Sequence, residues 1–187
     1  ISYAQLRDTV ARFAGALRAR GVQQGDRVLV YLPMTPQAVV AMLACARIGA
    51  IHSVVFGGFA ANELAARIAD ARPKVVVTSS GGLEPGRAVE YLPIVRSALD
   101  LCGGGASGVE AVIVDDRESV PGRAADYAGD REIAWLDWAE AEAAATPADP
   151  VPVSADHPLY ILYTSGTTGS PKGVVRDSGG YAVALAW

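Results

Sequence analysis

Only two cysteines, Cys45 and Cys102, and two histidines, His52 and His157, occur in the 187 residues. The cysteines sit in apolar or glycine-rich settings without a partner spacing and read as buried thiols of a reducing compartment, not as a disulfide framework. The histidines lie far apart and belong to no Cys/His cluster, so a zinc site has almost no support in the sequence. A basic excess is missing too: 16 Lys and Arg against 20 Asp and Glu leave a formal net charge of −4, the wrong sign for a nucleic-acid scaffold. No apolar run approaches the roughly 20 residues a membrane-crossing helix requires, and no charged-then-apolar leader opens the chain. There is no internal repeat, and no low-complexity segment beyond an enrichment in alanine.

What is present is a chain that is 51% hydrophobic, enough for an ordinary core, with a length prior of one to one and a half domains. Ser2 with Gln5 three residues on is a capping-box pattern, and Leu6, Val10, Phe13, Ala14 and Leu17 follow at helical spacing up to Gly21. Residues 27–32 read as a strand buried on both faces, closed by Pro33. Thr35 and Pro36 start a second helix whose residues 38–48 are almost wholly apolar. A strand over 51–56, a helix over 61–71 and a strand over 74–79 come next. This alternation predicts an α/β fold, a doubly wound and mostly parallel sheet with helices on both faces.

Further along, residues 93–101 read as a helix ended by the glycine run 103–105, taken as a flexible exposed loop, and 109–114 as a strand. Residues 115–132 read as a solvated irregular segment. Trp135 and Trp138, at i and i+3, are placed on a helix over 133–145, a spacing that points to core packing. The proline-rich stretch 147–152 reads as a stiff linker. It divides the chain into an α/β subdomain, 1–146, and a segment 147–187 built around the most informative stretch.

That stretch is YTSGTTGSPKG at residues 163–173. An apolar run, 159–163, reads as a buried strand that delivers five hydroxyl residues, three glycines and a lysine into a loop. Such a loop can be a plain solvated turn. Its composition is also that of a phosphate cradle: glycines admit backbone N–H groups to an anion, hydroxyls of Thr164, Ser165, Thr167, Thr168 and Ser170 add donors, and Lys172 adds a cation. It is not a Walker A loop, because Pro171 holds the place of the second glycine and Gly173 stands where a magnesium-binding Ser or Thr belongs. Residues 173–176 are again apolar and β-branched, so the pattern is strand-loop-strand, a hairpin-like grip without a helix dipole. Gly179 and Gly180 then turn the chain into a last apolar helix.

The full run resembles the signature loop of the adenylate-forming enzymes, which include acyl-CoA synthetases, luciferases and the adenylation domains of peptide synthetases. GDRVLVYLPM at 25–34, GAIHSVVFGGF at 49–59 and VVRDSGGYAVALAW at 174–187 look like the short-chain branch of the acyl-CoA synthetases. Within that branch the likeness is greatest to propionyl-CoA synthetases, since acetyl-type members tend to have Leu-His-Thr where this chain has Val175, Arg176 and Asp177. The likeness spans nearly the whole chain, is weakest over 103–150, and covers under half of a complete family enzyme. With Ile1 opening directly into a helix without a methionine and Trp187 inside an apolar, helix-like run, both ends read as cut.

The resemblance implies ATP, magnesium and coenzyme A as cofactors and a short-chain carboxylate as the partner substrate. The carboxylate attacks the α-phosphate of ATP, pyrophosphate leaves, and the thiol of coenzyme A displaces AMP. It implies that Thr164, Ser165, Gly166, Thr167, Thr168, Gly169 and Lys172 hold the ATP phosphates, with Lys172 the catalytic group on the departing pyrophosphate. It implies coenzyme A contacts at Gly58, in the GGF turn, and at Glu84, Pro85, Gly86 and Arg87, although Glu84 stands where acetyl-type enzymes carry another arginine. No residue is assigned to a metal. The acyl pocket and the C-terminal lid fall outside the chain, whose remaining partner is the rest of its own polypeptide; alone it is expected to be inactive. No nucleic acid or membrane is expected as partner, and the implied location is the cytoplasm, or the mitochondrial matrix in a eukaryote. Acetate as the acid, or a non-catalytic nucleotide-binding module that kept the loop, are the alternative readings.

Overall fold

The structure, a computed structural model, describes residues 1–129, 133–164 and 172–187. Its centre is a seven-stranded sheet in the order β7-β6-β3-β1-β2-β8-β9. The strands are β1 (Arg27–Tyr31), β2 (Ile51–Val54), β3 (Val75–Ser79), β6 (Ala111–Asp115), β7 (Ala134–Asp137), β8 (Pro158–Thr164) and β9 (Lys172–Asp177), and β4 (Gly81–Glu84) with β5 (Arg87–Glu90) forms a separate antiparallel hairpin. The helices are α1 (Tyr3–Ala19), α2 (Pro36–Arg47), α3 (Ala61–Ala71), α4 (Leu92–Leu101), α5 (Trp138–Ala144) and α6 (Ser178–Ala186). All sheet pairings are parallel except β8 with β9.

The two-residue period of the central strands divides the core. Val28, Val30, Val75, Val77, Ala111 and Ile113 face one layer with Phe13, Leu17, Ala41, Ala44 and Trp138. Leu29, Tyr31, Val76, Val112 and Val114 face the other, with Leu64, Ile68, Val95 and Leu99. Strands covered on both faces must be apolar throughout, which is why 27–31 and 75–79 read as runs without alternation. From β1 the chain crosses to β2 on one side through α2, then to β3 on the other side through α3. Two right-handed crossovers in opposite directions place those helices on opposite faces. This reversal about β1 opens a crevice at the carboxyl ends of the strands, where open α/β sheets bind ligands.

The doubly wound sheet, its helices on both faces and the capping box at Ser2 and Gln5 agree with the sequence reading. Several local expectations need correction. Residues 133–145 are not one helix: Trp135 lies in β7 opposite Val112, and only Trp138 is helical, because the Asp137 carboxylate accepts from the Glu140 amide at 2.9 Å and starts α5 there. The two tryptophans consequently serve opposite faces, Trp138 stacked on Phe13 at 3.6 Å and Trp135 on Tyr127 at 5.1 Å between ring centroids. The glycine run after α4 is a half-buried 3-10 turn, Gly104–Ser107, entered through the positive φ of Gly103. Thr35 occupies the cap position of α2, but its hydroxyl donates to the Pro33 carbonyl and leaves the helix amides alone. Gly179 and Gly180 do not precede the last helix; they form its first turn, which Asp177 caps. Both thiols are free, Cys45 buried and Cys102 half-buried.

Candidate functional site

The strand leading into the signature loop, β8, extends the parallel sheet beside β2, and β9 returns antiparallel to it. Thr164 and Lys172 are cross-strand partners where this hairpin leads into the signature loop, which sets their Cβ atoms about 5 Å apart on one face. Lys172 is exposed, and no ion pair engages it among the described residues. Ser165, Gly166, Thr167, Thr168 and Gly169, assigned to the ATP phosphates from the sequence, lie outside the described residues. β8 is half-buried and not fully buried as its apolar sequence predicts, and β9 is exposed along its length, because no element among the described residues covers that edge. Gly173 faces Tyr163 in register, and a Cβ there would press on the Tyr163 ring at 3.2 Å.

The second group of candidate residues meets at the carboxyl ends of β1, β2 and β3. Gly82 to Arg87, which holds the coenzyme A contacts implied by the resemblance, forms the turn region of the β4–β5 hairpin. Its Pro85–Gly86 turn fits the φ of +82° at Gly86, where a proline followed by glycine is the favoured pair of a type II turn. The Arg87 guanidinium donates twice to one Glu84 carboxylate oxygen, through Nε at 3.0 Å and Nη2 at 2.8 Å. The other oxygen of Glu84 lies 3.2 Å from where a Cβ on Gly58 would stand. Gly58, Glu84 and Arg87 are thus brought together, with Pro85 and Gly86 at the exposed tip.

A set of phenols fixes this corner. Tyr31, fully buried, directs its hydroxyl at the carbonyls of Gly57 (3.0 Å) and Phe59 (2.8 Å) and so holds the GGF turn on the end of β1. A Cβ at Gly57 or at Gly82 would collide with the Tyr91 hydroxyl, which is why the turn and the hairpin each present glycine to that ring. Burial first, and then the Glu84 charge among its neighbours, holds the Tyr91 phenol above its ordinary value; burial, Tyr91 and Glu84 do the same for Tyr31. Both phenols therefore remain neutral, and that of Tyr31 donates its hydrogen bonds to the turn. Arg117 closes the wall behind them, its Nη1 donating to the Gly81 carbonyl at 3.0 Å.

Between the two groups lies a cleft of about 570 Å³, lined by Pro33–Thr35 after β1, the 54–59 turn, Arg67, Leu83 and Glu84, Tyr91, Arg117, and Leu162 and Tyr163 at the end of β8. One recess therefore joins the GGF turn, the hairpin and the strand that carries the signature loop. The AMP-binding enzyme family model matches residues 1–187, the whole chain. The chain belongs to the AMP-binding enzyme family. It is 53% identical, over its whole length, to mitochondrial acyl-CoA synthetase short-chain family member 3 of Mus musculus, of which it spans 26%. It is 50% identical over 181 residues to the acetyl-coenzyme A synthetase of Streptomyces avermitilis, covering 97% of this chain and 26% of that one. Among solved structures, the acetoacetyl-CoA synthetase from Streptomyces lividans superposes with a TM-score of 0.78 and 34% identity over 98% of this chain and 26% of that chain. The chain thus spans about a quarter of the length of these relatives.

Within this family member, the site residues that sequence reading did not single out are Tyr31, Tyr91, Arg67 and Arg117. One had a visible signal. Arg67 falls three residues after Leu64 and four before Ala71, in the apolar stripe of α3, where a charged residue is out of place unless partnered. Among the described residues no group of three His, Cys, Asp or Glu is placed to hold a metal ion, and no helix is long and apolar enough to cross a membrane.

Proposed function

We propose that this chain is part of an ATP-dependent, AMP-forming acyl-CoA ligase that activates propionate. The observation that carries the reading is the pairing of Thr164 with Lys172 on the β8–β9 hairpin, whose Leu162 and Tyr163 line the same cleft as Gly58 and the Glu84 that binds Arg87. We take residues 1–146 as an α/β subdomain and 147–187 as the segment that brings the phosphate grip to its edge.

Adenylation joins a carboxylate oxygen to the α-phosphorus and breaks the bond to pyrophosphate, so negative charge grows on the leaving phosphates. Lys172, Thr164 and the backbone and hydroxyl groups of Ser165 to Gly169 would meet that charge. Loss of one such preorganised donor typically costs about 3 kcal/mol of transition-state stabilisation. Lys172 acts as a cation that positions and stabilises, not as a proton carrier. Magnesium would arrive on the nucleotide phosphates and add Lewis-acid neutralisation, and the described residues supply no carboxylate cluster of their own for it. In the second step the sulfur of coenzyme A bonds to the acyl carbon and AMP departs. Gly58, with no side chain to block approach, and Arg87 at the hairpin tip would receive the coenzyme.

Propionate is favoured by Val175, Arg176 and Asp177 in β9, where acetyl-type sequences tend to differ. Acetate is the second reading, supported by the 50% identity to an acetyl-coenzyme A synthetase. Assay of the full-length protein with acids of two to five carbons separates them: the largest kcat/KM is expected with propionate. A maximum at acetate overturns the propionate assignment, and absence of any acid-dependent pyrophosphate exchange overturns the ligase reading itself.

A further inference from the structure

Arg67 is only 7% exposed, although it sits on the last-but-one turn of a helix whose neighbouring buried positions are Leu64, Ile68 and Ala71. Its Nη1 is held from within α3, by the Glu63 carbonyl at 2.6 Å and the Glu63 carboxylate at 2.9 Å. The guanidinium also lies against two rings. Its carbon lies 4.6 Å from the Phe59 ring centroid and 5.5 Å from that of Tyr163, within the roughly 6 Å over which a cation is attracted to a ring face. One turn further along α3, Asp70 accepts a hydrogen bond from the Tyr163 hydroxyl at 2.5 Å.

The two rings belong to different parts of the site. Phe59 ends the GGF turn that contains Gly58, and Tyr163 is the residue before Thr164 at the mouth of the phosphate hairpin. Tyr163 has little freedom to swing away, with Gly173 against one side of its ring and Asp70 on its hydroxyl. We infer that Arg67 is a positioning residue that fixes the thiol-side turn and the phosphate-side strand to a single helix, so that both half-reactions depend on it. This rests on the acyl-CoA ligase reading. A guanidinium suits the task better than an ammonium, because its flat face can stack on rings while its edge bonds to Glu63. Displacements of about 1 Å in a positioned reactant can cost on the order of 100-fold in rate, so a loosened brace has room to be felt on both sides.

The test uses the full-length protein and two separated half-reactions. Arg67→Met is expected to raise the KM for ATP in acid-dependent pyrophosphate exchange and the KM for coenzyme A in thioester formation from supplied acyl adenylate, each by about 10- to 100-fold. Arg67→Lys should recover part of both. Tyr163→Leu should raise the ATP value alone, and Phe59→Leu the coenzyme A value alone. An Arg67→Met enzyme in which either KM is unchanged overturns the inference, as does an Arg67→Lys enzyme that recovers neither. A readout independent of turnover comes from urea denaturation, where Arg67→Lys combined with Tyr163→Leu, and with Phe59→Leu, should be non-additive in midpoint. Additivity in both pairs overturns the brace. A wild-type protein with no exchange activity refutes the ligase reading instead and leaves the denaturation cycles to decide on Arg67.

Discussion

Glu84 is the residue whose removal should improve the proposed coenzyme A site. Its carboxylate takes two donors of Arg87 at 3.0 and 2.8 Å and faces Gly58, so a coenzyme A phosphate received by Arg87, as proposed, would meet a guanidinium already in use and a negative charge beside it. The pair is unequal in exposure, with side chains 71% exposed for Arg87 and 30% for Glu84. Releasing an exposed ion pair of this kind is worth about 0.2–1 kcal/mol. Relief of carboxylate–phosphate repulsion adds to that; a pair of unit charges 4 Å apart is worth about 1 kcal/mol in bulk water and more near a protein surface. Glu84→Gln keeps the shape and hydrogen-bonding reach while removing the charge, so the combined gain should be about 1–2 kcal/mol, or 5- to 30-fold in affinity. In the full-length protein the KM for coenzyme A should fall by that factor, the KM for ATP should stay put, and the gain should shrink as salt rises. Dephospho-coenzyme A, which lacks the ribose phosphate, serves as the control and should gain much less. An unchanged KM for coenzyme A, or an equal gain for both thiols, refutes the placement of that phosphate at Arg87.

Two further substitutions probe the frame around the site. Burial lowers the pKa of His52 from 6.5 to about 4, so between those values the unfolded chain binds a proton that the folded chain refuses. Stability is then complete above the unfolded value and is lost as pH falls from there through the folded one, by up to about 3 kcal/mol; the urea midpoint of His52→Phe should vary less across this window than that of wild type, and parallel profiles would refute the assignment. Gly57→Ala would drive a methyl into the Tyr91 hydroxyl. Overpacking of this kind costs about 1–3 kcal/mol, so the variant should melt lower and bind coenzyme A more weakly, and wild-type values in both measurements would show that the turn is not clamped as described.

The sequence carried the layers well because β1 and β3 are covered on both faces and cannot hide their hydrophobicity. It misled where a local period competed with a cap. Trp135 and Trp138 have helical spacing, yet Asp137 between them starts the helix one residue before Trp138, and the strand register with Val112 claims Trp135. Gly82 to Arg87 showed its turn chemistry in Pro85 and Gly86, but four-residue strands that alternate weakly give little signal before they pair. The Glu84–Arg87 bond and the Tyr91 wedge between Gly57 and Gly82 are contacts across the fold, set by which strand ends meet at the crevice, and no spacing in the chain announces them. Arg67 lies between these cases: its misplacement on an apolar stripe is visible in sequence, but the rings that explain it are not.

The hairpin mouth is where the account is most exposed to test. Lys172→Ala should be made in the full-length protein and the two half-reactions measured apart: acid-dependent pyrophosphate exchange, and thioester formation from supplied propionyl adenylate. Exchange should drop by about 100- to 1,000-fold while thioester formation changes much less, because only the first step develops charge on departing pyrophosphate. Equal losses in the two half-reactions would contradict the role given to Lys172 and, with it, the reading of the hairpin as the grip on the nucleotide's phosphates.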